Sequence, residues 1–278
     1  MYMSMRFPGL KPKALTFSYD DGVRQDKRLV KLFDKFNVKG TFNICTGRFG
    51  EDTPQAIASG RDAMSEREMT ELFKCSSHEV AVHAYTHPHL ESLSKVAVAR
   101  EIITDKENIE KLFGKITRGA AYPYGTYNDD VVASLDACGI AYCRTVESSE
   151  NFDIPFDWLR LKPTCHHNNS NLTELANRFL AYRPNPVDPS WLFYVWGHTF
   201  EFDNDNNWGL MEDFLKLVSG REDVWYATNI EIYDYVEAYR SLITSADGKI
   251  IHNPTGTEIF FICNGENYSI KAGETIKI

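Results

Sequence analysis

Ala14-Leu15-Thr16-Phe17-Ser18-Tyr19-Asp20-Asp21-Gly22 is an apolar run that ends in two adjacent carboxylates and a glycine. Its opening part, Ala14–Ser18, is rich in strand formers and reads as a strand covered on both faces. Such strands belong to parallel sheets, and parallel strands need a long crossover between them, normally a helix. The next segment supplies one: Asp26–Phe36 carries Leu29, Val30, Leu32, Phe33 and Phe36 on one helical face.

The same unit recurs along the chain. Further strands are expected at Thr41–Cys45, Glu79–His83, Gly119–Tyr122, Ile140–Arg144, Trp158–Lys162, Trp191–Gly197 and Val224–Ala227. A helix is expected at Glu66–Lys74, with Ser65 and Glu68 forming a capping box, and another at Lys95–Phe113. A third starts at the cap Asn128 and ends at Cys138 with Gly139 beyond it; Leu172–Ala181, Met211–Leu217 and Glu231–Ser241 complete the set. Strand–helix alternation implies an α/β fold with a parallel sheet. Seven or eight strands favour a barrel, which places functional side chains at the C-terminal strand ends. From about Ala246 the helical pattern stops. Asn253-Pro254 and Asn264-Gly265 mark turns, so residues 246–278 read as a short β-rich tail packed on a barrel of residues 1–245.

The 278 residues are 43% hydrophobic and 13% aromatic, enough for a sizeable core. A net charge of -9 argues against nucleic acid or an anionic membrane as partner. No apolar run reaches the ~20 residues that span a bilayer. The opening MYMSMRFPGLKPK has no apolar leader segment, so a cytoplasmic location is expected. Cys45, Cys75, Cys138, Cys143, Cys165 and Cys263 are scattered without a CxxC and are expected to be free thiols, mostly buried. No feature specifies an oligomeric state.

Three strand ends carry chemistry. At Asp20-Asp21 one carboxylate can bind a metal while the other takes a proton, and Gly22 lets the backbone turn; a helix-capping pair is the plainer reading. In His83-Ala84-Tyr85-Thr86-His87-Pro88 the histidines are four apart, which on a helical turn puts their Cβ atoms roughly 5–6 Å apart and suits one ion. His78 precedes its strand and falls at the wrong end, His89 faces elsewhere, and both read as structural. The strand Trp191–Gly197 delivers His198 at its mouth. Two histidines and one carboxylate make a facial metal set with open positions, and the remaining Asp and His supply a base and an acid. Cys165-His166-His167 also looks metal-like but lacks a further partner at metal spacing. Tyr19, Tyr85, Tyr124, Tyr127, Trp196 and Phe200 flank the expected mouth and could stack on sugars, though about half of such rings belong to cores. The loop Glu201–Trp208 reads either as a hydroxyl-binding segment or as a solvated turn with its aromatics tucked under.

Taken in order, TFSYDDG (16–22), HAYTH (83–87), AYPYG (121–125) and VWGH (195–198) resemble the motifs of the NodB-homology polysaccharide deacetylases, carbohydrate esterase family 4. The resemblance runs from about Leu15 to Tyr239. It implies a distorted (β/α)7 barrel and metal-dependent removal of acetyl groups from a carbohydrate, N-acetyl before O-acetyl, with an oligosaccharide as the expected substrate. It implies Asp20 as catalytic base and His198 as catalytic acid. Asp21, His83 and His87 become ligands of one divalent ion, zinc first, with Co, Ni or Fe fitting the same donors. The backbone N–H of Tyr124 would face the oxyanion, and Pro123, Trp196 and Tyr85 would contact substrate.

The sequence departs from the pattern in three places. Ala121 stands where the family carries an Arg that orients the base; Arg118 is displaced, and Arg144 is a substitute at the end of the next strand. Trp196 replaces the usual Leu two before the His, which alters the acetyl pocket. The carboxylate that holds His198 is Asp153 or Asp157. Rival readings are an O-acetyl esterase, a related C–N hydrolase (a deformylase or cyclic-amide opener), and a catalytically silent carbohydrate-binding protein on the same fold. A non-haem Fe(II) oxygenase fits the ligand set but not the strand–helix alternation.

Overall fold

The computed structural model describes residues 2–278. Its strands are β1 (Met3–Arg6), β2 (Lys13–Asp20), β3 (Thr41–Ile44), β4 (Glu79–Val82), β5 (Gly119–Ala121), β6 (Tyr142–Arg144), β7 (Cys165–His166), β8 (Trp191–His198), β9 (Val224–Tyr226), β10 (Ile243–Thr244), β11 (Ile250–His252), β12 (Ile259–Cys263), β13 (Glu266–Ile270) and β14 (Thr275–Lys277). The α-helices are α1 (Asp26–Phe36), α2 (Pro54–Ala58), α3 (Glu66–Phe73), α4 (Lys95–Phe113), α5 (Asp129–Ala137), α6 (Leu172–Ala181), α7 (Thr199–Asn204), α8 (Trp208–Val218) and α9 (Asn229–Arg240).

Strand β2 is the spine. All eight of its residues are buried. β8 runs parallel along its whole length, from Lys13↔Trp191 to Asp20↔His198. On its other edge β9 pairs with Lys13, Ala14 and Leu15, and β3 with Ser18, Tyr19 and Asp20. The parallel order is β6-β5-β4-β3-β2-β8-β7, with β9 beside β2. Alternate residues of β2 serve opposite faces. Leu15, Phe17 and Tyr19 pack outward with Leu29 and Phe33 of α1 and Phe214 of α8. Thr16, Ser18 and Asp20 point inward, where Thr16 bonds Asn229 and Ser18 meets Arg144. Among the described residues β6 and β7 do not pair; β6 makes a single parallel bridge, Arg144↔Leu161, to the segment that precedes β7. The fold is therefore the distorted, incompletely closed (β/α)7 barrel that the motifs implied.

Trp158–Lys162 is not a strand. Trp158–Arg160 is a 3-10 turn, begun by Asp157, whose Oδ1 accepts the Arg160 N–H at 3.2 Å. The Trp158 indole N–H is held by Glu237 at 2.7 Å, which turns the ring off the sheet. The short β7 occupies the sheet position instead, paired to β8 through Cys165↔Val195 and His166↔Trp196. The expected caps are present: Ser65 and Glu68 close a capping box, Asn128 accepts the Val131 N–H at 2.9 Å, and Gly139 follows α5 at φ 74.

The β-rich tail folds with the N-terminus. β12 lies between β1 and β13, and β11 between β10 and β14, all antiparallel. Its buried Ile251, Ile259, Phe261 and Ile270 pack with Tyr235 and Val236 of α9. The Tyr235 hydroxyl donates to the Arg6 carbonyl and accepts the Phe260 N–H. All six cysteines are free, four of them buried. Among the described residues no helix is long and apolar enough to cross a membrane.

Candidate active site

The register Asp20↔His198 on one side and Asp20↔Asn43 on the other seats Asp20 between two strand ends. Its Oδ1 accepts from Asn43 Nδ2 at 2.8 Å, and its Oδ2 pairs with Arg144. Arg144 is wholly buried; it also reaches Ser18 Oγ at 3.3 Å and the Thr145 carbonyl at 3.2 Å, and lies 4.4 Å over the Trp196 ring. Burial by itself would push the Asp20 carboxyl up. The Arg144 guanidinium, helped by His83 and His198, outweighs it and holds the group at about 2. Arg144 thus occupies the place of the missing third-motif Arg. Arg118 pairs with Asp234 at 2.6 Å, and Ala121 offers its carbonyl to His83.

Asp21 follows in the left-handed region at φ 81, with Gly22 at φ 67, so the two carboxylates diverge. Asp21 Oδ1 is buried and has no hydrogen-bond partner. It lies 3.9 Å from His83 Nε2 and 3.6 Å from His87 Nε2, and the three donors fall within 4.8 Å of one another. The histidines do not share a helical turn. Ala84 at φ 61 and His87 at φ 58 fold the loop back, bringing the rings to 4.8 Å. Asp21, Ala84, His87 and Tyr124 are left-handed non-glycine residues gathered at one site, a strain that the fold maintains.

His83 Nδ1 donates to the Ala121 carbonyl at 2.9 Å, which leaves the Nε2 lone pair facing Asp21. Burial, then the neighbouring His83, pulls the His87 pKa down to about 4, so its ring is neutral as a ligand must be. Tetrahedral zinc donors sit about 3.3 Å apart, a few tenths of an ångström closer than these. A buried carboxylate oxygen that makes no hydrogen bond, with Arg48 Nη1 3.7 Å away and two imidazoles facing it, fits a divalent ion. Sequence reasoning missed Asp105, a buried carboxylate on α4. It accepts from the His83 N–H at 3.1 Å and from Thr46 N–H and Oγ1 at 2.7 Å. Only the fold reveals it, since it sits mid-helix without a motif.

His198 is part-buried. Its Nε2 lies 3.9 Å from Asp20 Oδ2 and its Nδ1 lies 3.1 Å from Glu201 Oε1. Neither Asp153 nor Asp157 holds it. Asp157 caps its own turn and pairs with Arg160 at 2.8 Å, while Asp153 lines a cavity with Phe156 and Lys162. Glu201 holds His198 from three residues on, also accepting its backbone N–H at 3.2 Å. That i, i+3 carboxylate was legible as a helix-start signal, His198-x-x-Glu201. Burial disfavours the His198 imidazolium, but Glu201 and Asp20 outweigh it and raise its pKa above the usual value.

Glu201 is also the carboxylate beside the Cys165-His166-His167 run. Its Oε2 is 3.1 Å from His166 Nε2 and 3.3 Å from His167 Nε2. The metal reading fails on the tautomer. His166 Nδ1 accepts the Asn168 N–H at 3.1 Å, so the ring proton sits on Nε2, which leaves no lone pair there to ligate. His167 is buried between Tyr19 and Phe202, at 5.7 and 4.2 Å.

The Tyr124 side chain is exposed, edge-on to His87 at 4.5 Å and stacked on His89 at 4.0 Å, with Pro123 buried before it. His78 accepts the Gly40 N–H at 3.1 Å. Trp196 is buried against Arg144. Tyr85 turns against Gly47 and lines a cavity of about 310 Å³ with Thr46, Phe49 and Lys111, a lining that does not include Asp21, His83 or His87. Tyr19 and Phe200 are core, and Tyr127 stacks on Tyr122 at 4.8 Å. The stretch after His198 forms α7 and the start of α8 with Phe202 and Trp208 buried, the second of the two expected readings.

Residues 8–143 match the family model described as polysaccharide deacetylase. The chain is 24% identical over 124 residues to the poly-beta-1,6-N-acetyl-D-glucosamine N-deacetylase of Staphylococcus aureus strain MRSA252, covering 42% of this chain. It spans 41% of the length of that curated relative. A crystal structure from Mycobacterium smegmatis, assigned to the polysaccharide deacetylases, superposes with a TM-score of 0.56 at 16% identity, over 85% of this chain and 94% of that one. A family 4 carbohydrate esterase from Streptomyces lividans, solved with acetate, gives 0.48 at 15% identity, over 76% and 90%.

Proposed function

Since the chain belongs to the NodB-homology polysaccharide deacetylase family, we propose that it is a metal-dependent hydrolase removing acetyl groups from a carbohydrate. We assign N-acetyl before O-acetyl, and an oligosaccharide as substrate. The observation that carries this is the triangle of Asp21, His83 and His87 with Asp20 and His198 beside it. A divalent ion held by those three donors, zinc by preference for imidazole, would polarise the acetyl carbonyl and acidify water there.

The chain's own groups do the rest. Asp20, kept ionised by Arg144, takes the proton of the attacking water. The Tyr124 N–H donates to the oxyanion, a contribution of roughly 2.7–4 kcal/mol per donor elsewhere. His198, whose imidazolium is favoured by Glu201 and Asp20, gives its proton to the departing nitrogen from Nε2.

The test is acetate release from a panel of N- and O-acetylated sugars, before and after chelation, by wild type and Asp20→Asn. The variant should take up one divalent ion as wild type does, yet turn over ~10²–10⁴-fold more slowly. Undiminished turnover in that variant, or a wild-type protein that takes up no divalent ion, would end the proposal.

A further inference from the structure

Resting on the deacetylase reading above, we propose that His166 is a positioning residue for the catalytic acid, bracing Glu201 and through it His198. A relay of close polar contacts runs from the Asn168 backbone through His166 and Glu201 to His198. The Asn168 backbone N–H donates to His166 Nδ1 at 3.1 Å, which leaves the ring proton on Nε2. That nitrogen lies 3.1 Å from Glu201 Oε2. The other carboxylate oxygen, Oε1, lies 3.1 Å from His198 Nδ1 and accepts its proton. His198 then presents Nε2 toward Asp20 Oδ2, 3.9 Å away, on the side where a leaving group is protonated.

Glu201 needs such a brace. It stands on α7, a helix of only 6 residues, with a long side chain that is 24% exposed. Anchored to His198 alone, its carboxylate could rotate into solvent and release the imidazole. His166 comes from a different element. It is fixed by β7 pairing to β8 at His166↔Trp196 and by its ring lying edge-on to Trp196 at 4.7 Å. Asn168 also ties this loop to the far end of α7, donating to Asp205 at 3.0 Å and accepting from Asn207 at 3.0 Å. Neighbouring His167 Nε2 also lies 3.3 Å from Glu201 Oε2, but that ring is wholly buried between Tyr19 and Phe202 and stands farther from the carboxylate than His166.

The test compares wild type with His166→Ala and His166→Gln, whose amide nitrogen falls near the position of the imidazole Nε2. Steady-state kinetics are read beside ¹H–¹⁵N NMR of the histidine rings. In His166→Ala, kcat should fall about ten-fold, less than the ~10²–10⁴-fold that acid catalysis itself is worth because His198 is loosened and not removed, with KM within about two-fold. The downfield His198 Nδ1 proton should broaden away. His166→Gln should restore both. An alanine variant that keeps rate and resonance, or a glutamine variant as impaired as alanine, overturns the brace. If wild type releases no acetate from any sugar, the deacetylase reading fails instead, while the resonance still decides whether His166 holds His198.

Discussion

Replacing Arg144 with Met should expose what holds Asp20. Arg144 is wholly buried and Asp20 is 2% exposed, so neither charge can recruit water once its partner is gone. Removing one partner of a buried pair typically costs ~3–5 kcal/mol, because the survivor is left desolvated. The loss here should lie in that range, since Asp20 keeps Asn43 Nδ2 but loses its only guanidinium. Asp20→Asn alone strands Arg144 and should also destabilise. The double variant buries no charge at this pair and should recover much of the loss, giving a coupling of at least ~2 kcal/mol. Urea unfolding of metal-free protein measures each corner of the cycle without the linkage that a bound ion adds. Arg144→Lys should recover only part, because an ammonium cannot reproduce the fork that spans Asp20, Ser18 and Thr145. An Arg144→Met protein that unfolds at the wild-type urea concentration, with coupling near zero, would refute the role given to this pair.

Isothermal titration of zinc into chelated protein should give one site. His87→Ala, losing a donor, should weaken it by more than the ~10–100-fold that Asp105→Ala costs through the His83 backbone; equal affinities would remove both from the site. His167 provides a pH signature. Burial pulls its folded pKa down to about 3, against about 6.5 unfolded. The neutral ring's contribution is therefore complete above about 6.5 and is lost progressively as pH falls toward 3. Between pH 7.5 and 5, wild type should lose about 2 kcal/mol more unfolding free energy than His167→Phe; parallel pH curves would contradict this.

The parts of the molecule that could be read in advance are those specified by neighbours in sequence. β2, β4 and β8 declare themselves because each is an apolar run with chemistry at its end, β3 because it is a short run of strand formers after α1, and α1, α4 and α6 because their apolar spacing is long and regular. What escaped is what distant residues decide. Trp158–Lys162 has the composition of a strand, but Glu237, 79 residues on, captures its indole N–H. The two residues of β7 are too few to show a period. β1 is a strand because β12 pairs with it from the other end of the chain. Glu201 is the instructive miss, since its helix-start spacing was visible but its meaning as the partner of His198 required α7 to turn back over β8.

Arg144 follows the same logic from the opposite side. The family pattern asks for an arginine at position 121, and here that residue is alanine. In the sheet, Ala121 and Arg144 are direct register partners on adjacent parallel strands, β5 and β6. Adjacent strands lie ≈ 4.7–4.9 Å apart, and an arginine side chain is long enough to span that step. Moving the cation one strand sideways at the same level therefore keeps its guanidinium in the barrel interior and on Asp20. The vacated position loses only a side chain, since its carbonyl still accepts from His83 Nδ1. If Asp20 is the base, as proposed, what its activation demands of this fold is a guanidinium at a given height in the interior, and the sheet offers more than one strand from which to deliver it.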